Sequence, residues 1–334
     1  MADTASDPTP GVVTVFGGSG FIGAHAVRAL ARRGWRIRVA VRNPVLAIEV
    51  QTAGDPGQIQ FVRCDVTDAQ DVARVLRGAD ALVNLVGVLH DGGGRRGFKA
   101  VHVEAARNIA EAAAAAGVRR IVHVSALGAD ARSPSAYARS KAEAEDLLRA
   151  ARPDAAILRP SVVFGKGDSF LTRFADMAAR APALPLIGGG ETRFQPVYVG
   201  DVAEAIVQAA TRADAAGGTF ELGGPEVLSL RDILEMIRRE TGRDRLLLPI
   251  PFFAARLLGG MLEPVRLFGL TPPLTRDQVL MLQVDNVVSE GAAGLTALGV
   301  AHPTGIEAIA PAYLWPYRVG GQFADLSAAP PAAA

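Results

Sequence analysis

The feature that most constrains the fold is a glycine-rich segment that follows the short β-branched run Val12 to Phe16. The residues after it, Phe21 to Arg33, have helical character and end at Gly34. In such a segment the first glycine permits a tight turn, the middle one lets backbone approach a diphosphate, and the last lets helix and strand pack closely. The sequence therefore predicts a diphosphate-binding turn, with a glycine turn without ligand as the alternative. The turn consists of Gly17, Gly18, Ser19, Gly20, Phe21, Ile22 and Gly23.

Strands and helices alternate beyond this turn. Strands are expected at residues 36–41, 59–63, 81–86, 120–124 and 155–159, and helices at 68–76, 101–116 and 136–149. This alternation implies parallel strands joined by right-handed crossovers. We therefore predict an α/β protein with a Rossmann-type doubly wound parallel sheet.

The rhythm becomes irregular after Pro160, where glycines, prolines and short helices intervene. We expect a nucleotide-binding domain at 11–160 and a smaller α+β domain at 161–323, able to exchange a strand or a helix with the first. A strand near 194–199 and helices at 202–210 and 230–241 are predicted there. The ends, 1–10 and 324–334, are expected to be disordered.

The identity of the dinucleotide depends on the end of the second strand. An acidic residue there would hold the ribose hydroxyls of NAD(H), but Arg42 follows the strand and no acid appears before Glu49. Because a guanidinium suits a 2′-phosphate, NADP(H) is favoured, with NAD(H) as the alternative. Asp65, followed by Val66, ends the third strand and is placed to accept from the adenine amine. Gly87 follows the fourth strand and would let backbone lie against the cofactor.

Ser125, Tyr137 and Lys141 form the candidate catalytic group. Ser125 ends the fifth strand, and Tyr137 and Lys141 share one face of the next helix. A nearby ammonium would lower the pKa of the phenol, so Tyr137 is expected to exchange a proton near neutral pH while Lys141 also holds the nicotinamide ribose. Whether the three groups catalyse turnover or only bind the cofactor stays open.

The combination of this turn with Tyr137 and Lys141 resembles the extended short-chain dehydrogenase/reductase superfamily over the whole chain. The second half further resembles the nucleotide-binding accessory subunit of respiratory complex I (NADH:ubiquinone oxidoreductase) and its bacterial relatives. Four segments carry this resemblance: Leu158 to Gly165, Gln195 to Ala203, Leu274 to Val279, and the pair Tyr317 and Arg318. In the first segment Pro160, Val162 and Phe164 are expected to shape the nicotinamide side of the pocket.

The resemblance implies an NADP(H)-binding protein that retains its nucleotide as a structural or regulatory element. The alternative is a cytoplasmic NADPH-dependent reductase or a sugar-nucleotide epimerase or dehydratase that uses Ser125, Tyr137 and Lys141. The apolar segment 246–270, which contains Arg256 and Arg266, is expected either to lie on a membrane surface or on complex I, or to form the lid or core of the small domain. Its prolines argue against a membrane-spanning helix.

The bulk composition excludes several classes. With 35 basic and 34 acidic residues the net charge is +1, which gives no support for nucleic acid as a partner. The five histidines lack ligand spacing, so no metal is proposed. The single cysteine fits a reducing compartment, and residues 1–10 lack the pattern of a secretory signal. We expect a cytoplasmic protein, either free or peripheral on the inner face of the membrane.

Overall fold

The computed structural model describes residues 11–268 and 272–323. The predicted disorder at 1–10 and 324–334 lies outside these residues. The strands in chain order are β1 Val12–Phe16, β2 Arg36–Val41, β3 Ile59–Arg63, β4 Ala81–Asn84, β5 Arg120–Val124, β6 Ala156–Pro160, β7 Val163–Phe164, β8 Ala183–Ile187, β9 Arg193–Phe194, β10 Val197–Tyr198, β11 Thr219–Leu222, β12 Leu228–Ser229 and β13 Leu246–Ile250. The α-helices are α1 Phe21–Arg32, α2 Ala69–Leu76, α3 Ala105–Ala115, α4 Ala136–Ala151, α5 Leu171–Arg180, α6 Val199–Thr211, α7 Leu230–Thr241, α8 Phe252–Leu262, α9 Arg276–Met281 and α10 Ile306–Leu314.

The large sheet has seven strands in the order β11-β6-β5-β4-β1-β2-β3, and all its pairings are parallel. Helices α1 and α6 cover one face, where Val27, Leu30 and Ile206 are fully buried. Helices α2, α3 and α4 cover the other. Burial on both faces explains the apolar strands, and the doubly wound α/β fold predicted from the alternation is confirmed.

The second half contributes to both halves of the molecule. Strand β11 pairs with β6 and extends the large sheet, and α6 packs on α1. Helices α5, α7 and α10 enclose a separate core that contains Leu171, Ile233 and Leu314. The domain boundary at residue 160 and the exchange of an element between the two domains stay predictions.

Local departures from the predicted elements have identifiable causes. The strand expected near 194–199 is two short strands, β9 and β10, because Pro196 between them has no amide hydrogen to donate. The helix expected from residue 101 begins as the π-helical turn Lys99–Glu104, and regular α3 follows it.

Helix length bears on membrane crossing. Over residues 11–268 and 272–323, none of the helices is both long and apolar enough to span a bilayer. Segment 246–270 consists of β13, α8 and a 3₁₀ stretch at 263–268, and its last two residues lie outside the described chain.

Candidate functional site

The site lies where the strand order reverses between β1 and β4. From β1 the chain adds β2 and β3 on one side of the sheet. It then returns to place β4 on the other side of β1, and β5 and β6 follow beyond β4. In an open parallel sheet the crevice outside the carboxyl ends of these two strands is where ligands bind. The glycine turn after β1 and Gly87 after β4 both face this crevice end of the sheet.

Three of the four glycines in the turn are needed for the backbone to fold, each for a different physical reason. Gly17 has φ of 77°, which favours glycine, and its carbonyl accepts from Gly20 N at 3.0 Å. A Cβ on Gly18 would lie 2.8 Å from Val39 Cγ1, and a Cβ on Gly23 would lie 2.2 Å from the Gly17 carbonyl oxygen. These three positions are therefore required by the fold itself.

Gly20 differs because the protein leaves space around it. A Cβ there would meet one neighbour within 4 Å, the Gly17 carbonyl oxygen at 3.3 Å, and φ of −78° suits any residue. Gly20 and Ser19 are exposed, and Gly20 is the N-cap of α1 without a side chain to satisfy the first amides. Open space beside unpaired helix amides fits an anionic group such as a diphosphate. Phe21 and Ile22 open the helix and are half-buried.

Arg42 lines a cleft of about 420 Å³ beside β2 and β3, together with Arg63, Asp65, Asp71 and Arg74. Arg74 is paired with Asp71 at 2.5 Å. Within the described residues no hydrogen bond or ion pair engages the guanidinium of Arg42 or Arg63. Two free guanidinium groups in one cleft suit a phosphate.

The predicted adenine contact, Asp65, already has partners. Its carboxylate accepts from Thr67 N at 3.0 Å, from Thr67 Oγ1 at 2.7 Å and from Arg95 at 2.6 Å. Burial would raise the pKa of Asp65, but these hydrogen bonds outweigh it and hold the pKa at about 2. The pair with Arg95 joins the loop after β4 to the end of β3. Val66 is fixed by Asn108 of α3, whose amide donates to the Val66 carbonyl at 3.0 Å.

Tyr137 and Lys141 are both buried on α4 beneath the crevice. The Lys141 ammonium donates to the Val124 carbonyl at 3.4 Å, next to Ser125, and a Cβ on Gly87 would lie 3.2 Å from Lys141 Nζ. Burial lowers the pKa of Lys141 to about 8. The structure thus brings together the ends of β4 and β5 and one face of α4.

The expectation that Lys141 lowers the pKa of Tyr137 is wrong for the protein without ligand. Burial raises the pKa of Tyr137 to about 12. The rings of Phe98 and His102 stack on each other, and the phenol ring packs edge-to-face against both, with centroids 5.8 and 5.7 Å away, while Lys141 Nζ is 6.0 Å from its centroid. A phenolate would lose its hydration beside these rings, and burial is the cause that raises the pKa.

Ser125 has an unusual buried hydroxyl. Its Oγ is shielded from solvent and has no hydrogen-bond partner among the described residues. Its backbone is fixed, since Ser125 N donates to the Leu158 carbonyl at 2.7 Å. Because a buried hydroxyl without a partner is costly, this group is suited to a hydrogen bond with a bound molecule.

His102 completes the floor of the site. Val88 N donates to His102 Nε2 at 3.0 Å, so His102 Nδ1 carries the hydrogen and donates to Ser140 Oγ at 2.8 Å. Ser140 then donates to the Tyr137 carbonyl at 2.8 Å. Burial, and then the charge of Lys141, lower the pKa of His102 to about 3, so the ring is neutral. This chain fixes the loop after Gly87 relative to α4.

The three residues predicted for the nicotinamide side, Pro160, Val162 and Phe164, lie in different surroundings. The Pro160 carbonyl accepts from Leu127 N at 2.9 Å, in the loop that follows Ser125. Val162 is half-buried, whereas Phe164 is fully buried in the core of the second half and packs against Tyr198 at 5.9 Å between ring centroids. A role of Phe164 toward a cofactor would therefore be indirect, through packing, and stays a prediction.

Comparison with known families fits this geometry. The model of the NAD dependent epimerase/dehydratase family matches residues 13–223, which contain the glycine turn, Ser125, Tyr137 and Lys141. The chain belongs to this family.

Two curated proteins and one solved structure illustrate what this chain is similar to. Subunit 9 of the NADH dehydrogenase [ubiquinone] 1 alpha subcomplex of Mus musculus is 37% identical over 302 residues, covering 89% of this chain and 78% of the relative. The ceramide reductase of Caulobacter vibrioides is 38% identical over 197 residues, covering 59% of this chain and 60% of the relative. The structure of dTDP-glucose 4,6-dehydratase from Streptomyces venezuelae, with NAD and TYD bound, matches with a TM-score of 0.63 and 26% identity. The match covers 72% of this chain and 84% of the dehydratase chain.

Some residues of the candidate site were not predicted from the sequence. Arg63 and Arg74 belong to the Arg42 cleft, and a signal existed because Arg63 is the last residue of β3 and Arg42 directly follows the neighbouring strand β2. His102 and Asp277 could not be found, because their partners lie on other elements. Asp277 is 142 residues from Ser135, whose hydroxyl it binds.

Proposed function

We propose that the chain is an NADP(H)-binding accessory subunit of a complex I-type NADH:ubiquinone oxidoreductase, which holds the nucleotide as a structural or regulatory element. The observation that carries the nucleotide part is Gly20. Its missing side chain leaves open space at the N-terminus of α1, where the fold does not require a glycine. A bound dinucleotide would place its diphosphate there, with Lys141 and Tyr137 near its nicotinamide ribose.

NADP(H) is preferred to NAD(H) in this proposal because of the Arg42 cleft. Arg42 and Arg63 are the guanidinium groups of that cleft without a carboxylate partner in the described chain, and a 2′-phosphate supplies the missing anion. The direct test is mass spectrometry of the nucleotide that co-purifies with the full chain. Recovery of NADP(H) supports the proposal, and recovery of NAD(H) alone contradicts the preference.

The docking part of the proposal rests on an exposed apolar surface, which we call the α8 face. It comprises Leu246 and Leu248 of β13 and Phe253, Leu257 and Met261 of α8. The last three are 73%, 63% and 70% exposed and recur every four residues, so they form one stripe along the helix. Apolar patches of this kind mark interfaces.

The partner we assign to the α8 face is a complex I-type assembly at the cytoplasmic face of the membrane. The Mus musculus relative is named as a mitochondrial NADH dehydrogenase [ubiquinone] subunit and is similar over 89% of this chain. No acidic residue occurs within α8, and Arg256 is exposed beside the stripe, which suits a surface of negative charge.

A membrane fractionation experiment tests the docking. We expect the full chain to co-migrate with NADH:ubiquinone oxidoreductase activity on native gels of mildly solubilised membranes. Leu257→Glu should release it into the soluble fraction. Ile48→Glu is the matched control, because Ile48 is similarly exposed, at 60%, but lies outside the α8 face, and this variant should stay bound. A wild-type chain found only as a soluble monomer contradicts the proposal.

A second candidate function is supported by the Ser125 hydroxyl. A buried Oγ that has no partner among the described residues, one residue after the Val124 carbonyl that Lys141 contacts, is suited to a carbonyl oxygen, and the Caulobacter vibrioides relative is named as a reductase of ceramide. In this alternative the chain is a cytoplasmic NADPH-dependent reductase, or a sugar-nucleotide epimerase or dehydratase. The cofactor would supply or accept hydride, Ser125 would hold the carbonyl oxygen and Tyr137 would transfer the proton, with Lys141 holding the ribose.

A further inference from the structure

The N-terminus of α4 is held by a carboxylate from far along the chain. Asp277 Oδ1 accepts from Ala136 N at 2.6 Å, and Asp277 Oδ2 accepts from Tyr137 N at 3.2 Å and from Ser135 Oγ at 2.9 Å. Ser135 is the N-cap of α4, and its own hydroxyl accepts from Ala138 N at 3.3 Å. Asp277 belongs to α9, in a segment that does not contribute to the large sheet.

These contacts complete the first turn of α4. A helix leaves its first backbone amides without partners inside the helix. Here Asp277 takes the first two and Ser135 takes the third, so one carboxylate and one hydroxyl satisfy the turn that contains Tyr137. The negative charge also lies at the positive end of a 16-residue helix dipole. The position of Tyr137, and of Lys141 one turn later, therefore depends on Asp277.

Helix α9 is itself packed against α8. A Cβ on Gly259 would lie 2.9 Å from the backbone of Thr275 and Arg276, so the two helices approach with no space for a side chain. Arg276 N also donates to Glu263 at 3.0 Å, directly after α8. Because α9 is anchored to α8 by backbone contact, a displacement of α8 would move Asp277.

We propose that Asp277 is a positioning residue that couples the dinucleotide site to the α8 face. The proposal rests on the nucleotide binding and docking proposed above. With Asp277 in place, nucleotide bound against Tyr137 and Lys141 stabilises α4, α9 and α8 together. By thermodynamic reciprocity, docking of the α8 face then raises nucleotide affinity by the same factor.

Hydrogen–deuterium exchange of the full chain, with and without saturating NADPH, tests the coupling. In the wild type we expect NADPH to slow exchange in α4 and also in α8 and α9. In Asp277→Asn one of the two accepting oxygens becomes an NH2 group, which cannot accept from a backbone amide, and the negative charge is lost, so protection should persist in α4 but disappear in α8 and α9. The Kd for NADPH should rise roughly tenfold, the range that loss of a helix cap allows.

Two further variants keep the test decisive. Asp201→Asn is the matched control, because Asp201 also accepts from a distant backbone amide and hydroxyl, Thr304 N at 2.6 Å and Thr304 Oγ1 at 3.2 Å. It should lower the unfolding temperature without changing the Kd or the protection of α8. Ser135→Ala removes one of the three bonds to Asp277 together with the cap bond from Ala138 N, and should raise the Kd roughly threefold. It replaces Asp277→Asn if that variant does not fold, and the loss of NADPH-induced protection in α8 and α9 is then the readout that a lost cap alone would not produce.

The outcomes separate the coupling from the proposed function. NADPH binding with protection of α4 alone in the wild type overturns the coupling and leaves the nucleotide assignment intact. Unchanged protection of α8 in Asp277→Asn, or an equal effect of Asp201→Asn, also overturns it. Absence of any dinucleotide binding refutes the proposed function, and the coupling with it. If the wild-type chain does not co-migrate with NADH:ubiquinone oxidoreductase activity, but NADPH still protects α8 and α9, only the assignment of the docking partner is refuted.

Discussion

The glycine turn allows one prediction in which stability and binding change independently. Gly20→Ser places a hydroxyl at the N-cap of α1, where serine is preferred to glycine by a few tenths of a kcal/mol. The backbone there, with φ of −78° and ψ of 178°, accepts a side chain, and the Cβ contact of 3.3 Å to Gly17 needs a shift of a few tenths of an ångström. The unfolding temperature of the nucleotide-free variant should therefore change by about 1 °C or less.

The affinity for the nucleotide, in contrast to the stability, should fall strongly. The new hydroxyl occupies the space of the diphosphate and takes an amide that the phosphate would use. Each hydrogen bond to a charged group contributes about 1.5–3 kcal/mol, so the loss of even one corresponds to a roughly tenfold or greater weakening of the Kd, reaching about a hundredfold at the upper end of that range. Titration of NADPH fluorescence with nucleotide-free protein measures this directly.

Gly23→Ala is the contrasting variant. Its Cβ would lie 2.2 Å from the Gly17 carbonyl oxygen and 2.7 Å from the backbone of Gly18, so the backbone itself must move. We expect a loss of about 1–3 kcal/mol in the free energy of unfolding without nucleotide. Wild-type NADPH affinity in Gly20→Ser would refute the assignment of a diphosphate to this turn. A large loss of stability in Gly20→Ser would instead show that the glycine serves the fold.

Three further predictions concern the cleft, the phenol and the floor of the site. Arg42→Ala should weaken NADPH binding roughly tenfold or more while NADH affinity changes little, and equal losses in parallel titrations would remove the NADP(H) preference. Tyr137→Phe should abolish any NADPH-dependent carbonyl reduction but preserve NADPH binding, and residual turnover at the wild-type rate would exclude Tyr137 as the proton donor. Stability should fall as the pH drops from 6.5 toward 3, because unfolded His102 gains a proton in this window and the folded ring, with its pKa lowered to about 3, does not. The effect is on the order of 5 kcal/mol at most, and thermal unfolding of His102→Gln should show a weaker dependence over the same window.

The strands of the first half could be predicted because their signals are local. Apolar β-branched runs end in glycine or polar residues, so β1, β2, β3 and β5 begin and end where the sequence placed them. The short strands β9 and β10 form through pairing with β12 and β7, partners that a local pattern does not contain. The attachment of β11 to β6 is equally non-local.

The candidate site divides in the same way. The spacing of Tyr137 and Lys141 places them on one helix face, but spacing contains no information about the dielectric around them. The rings of Phe98 and His102, which exclude water from Tyr137, lie directly before and within the π-helical turn Lys99–Glu104, which the pattern did not predict. The direction of the Tyr137 pKa was therefore wrong, although its position on the helix face was predicted.

Asp277 shows why a segment can be typical of a group of proteins without an obvious chemical role. The stretch Leu274 to Val279 supported the resemblance to the complex I accessory subunit, yet it contains no group expected to reach a cofactor. In the structure its carboxylate binds the backbone amide of Tyr137, and its capping box, from Thr275 to Gln278, fixes α9 for that contact. A helix cap from a distant segment constrains two residues at once, since the capped helix is positioned by the same bond that holds the segment. The nucleotide site and the α8 face are thus joined through the first turn of one helix, and a protein with the same Tyr137 and Lys141 but no acid at 277 would lack that connection.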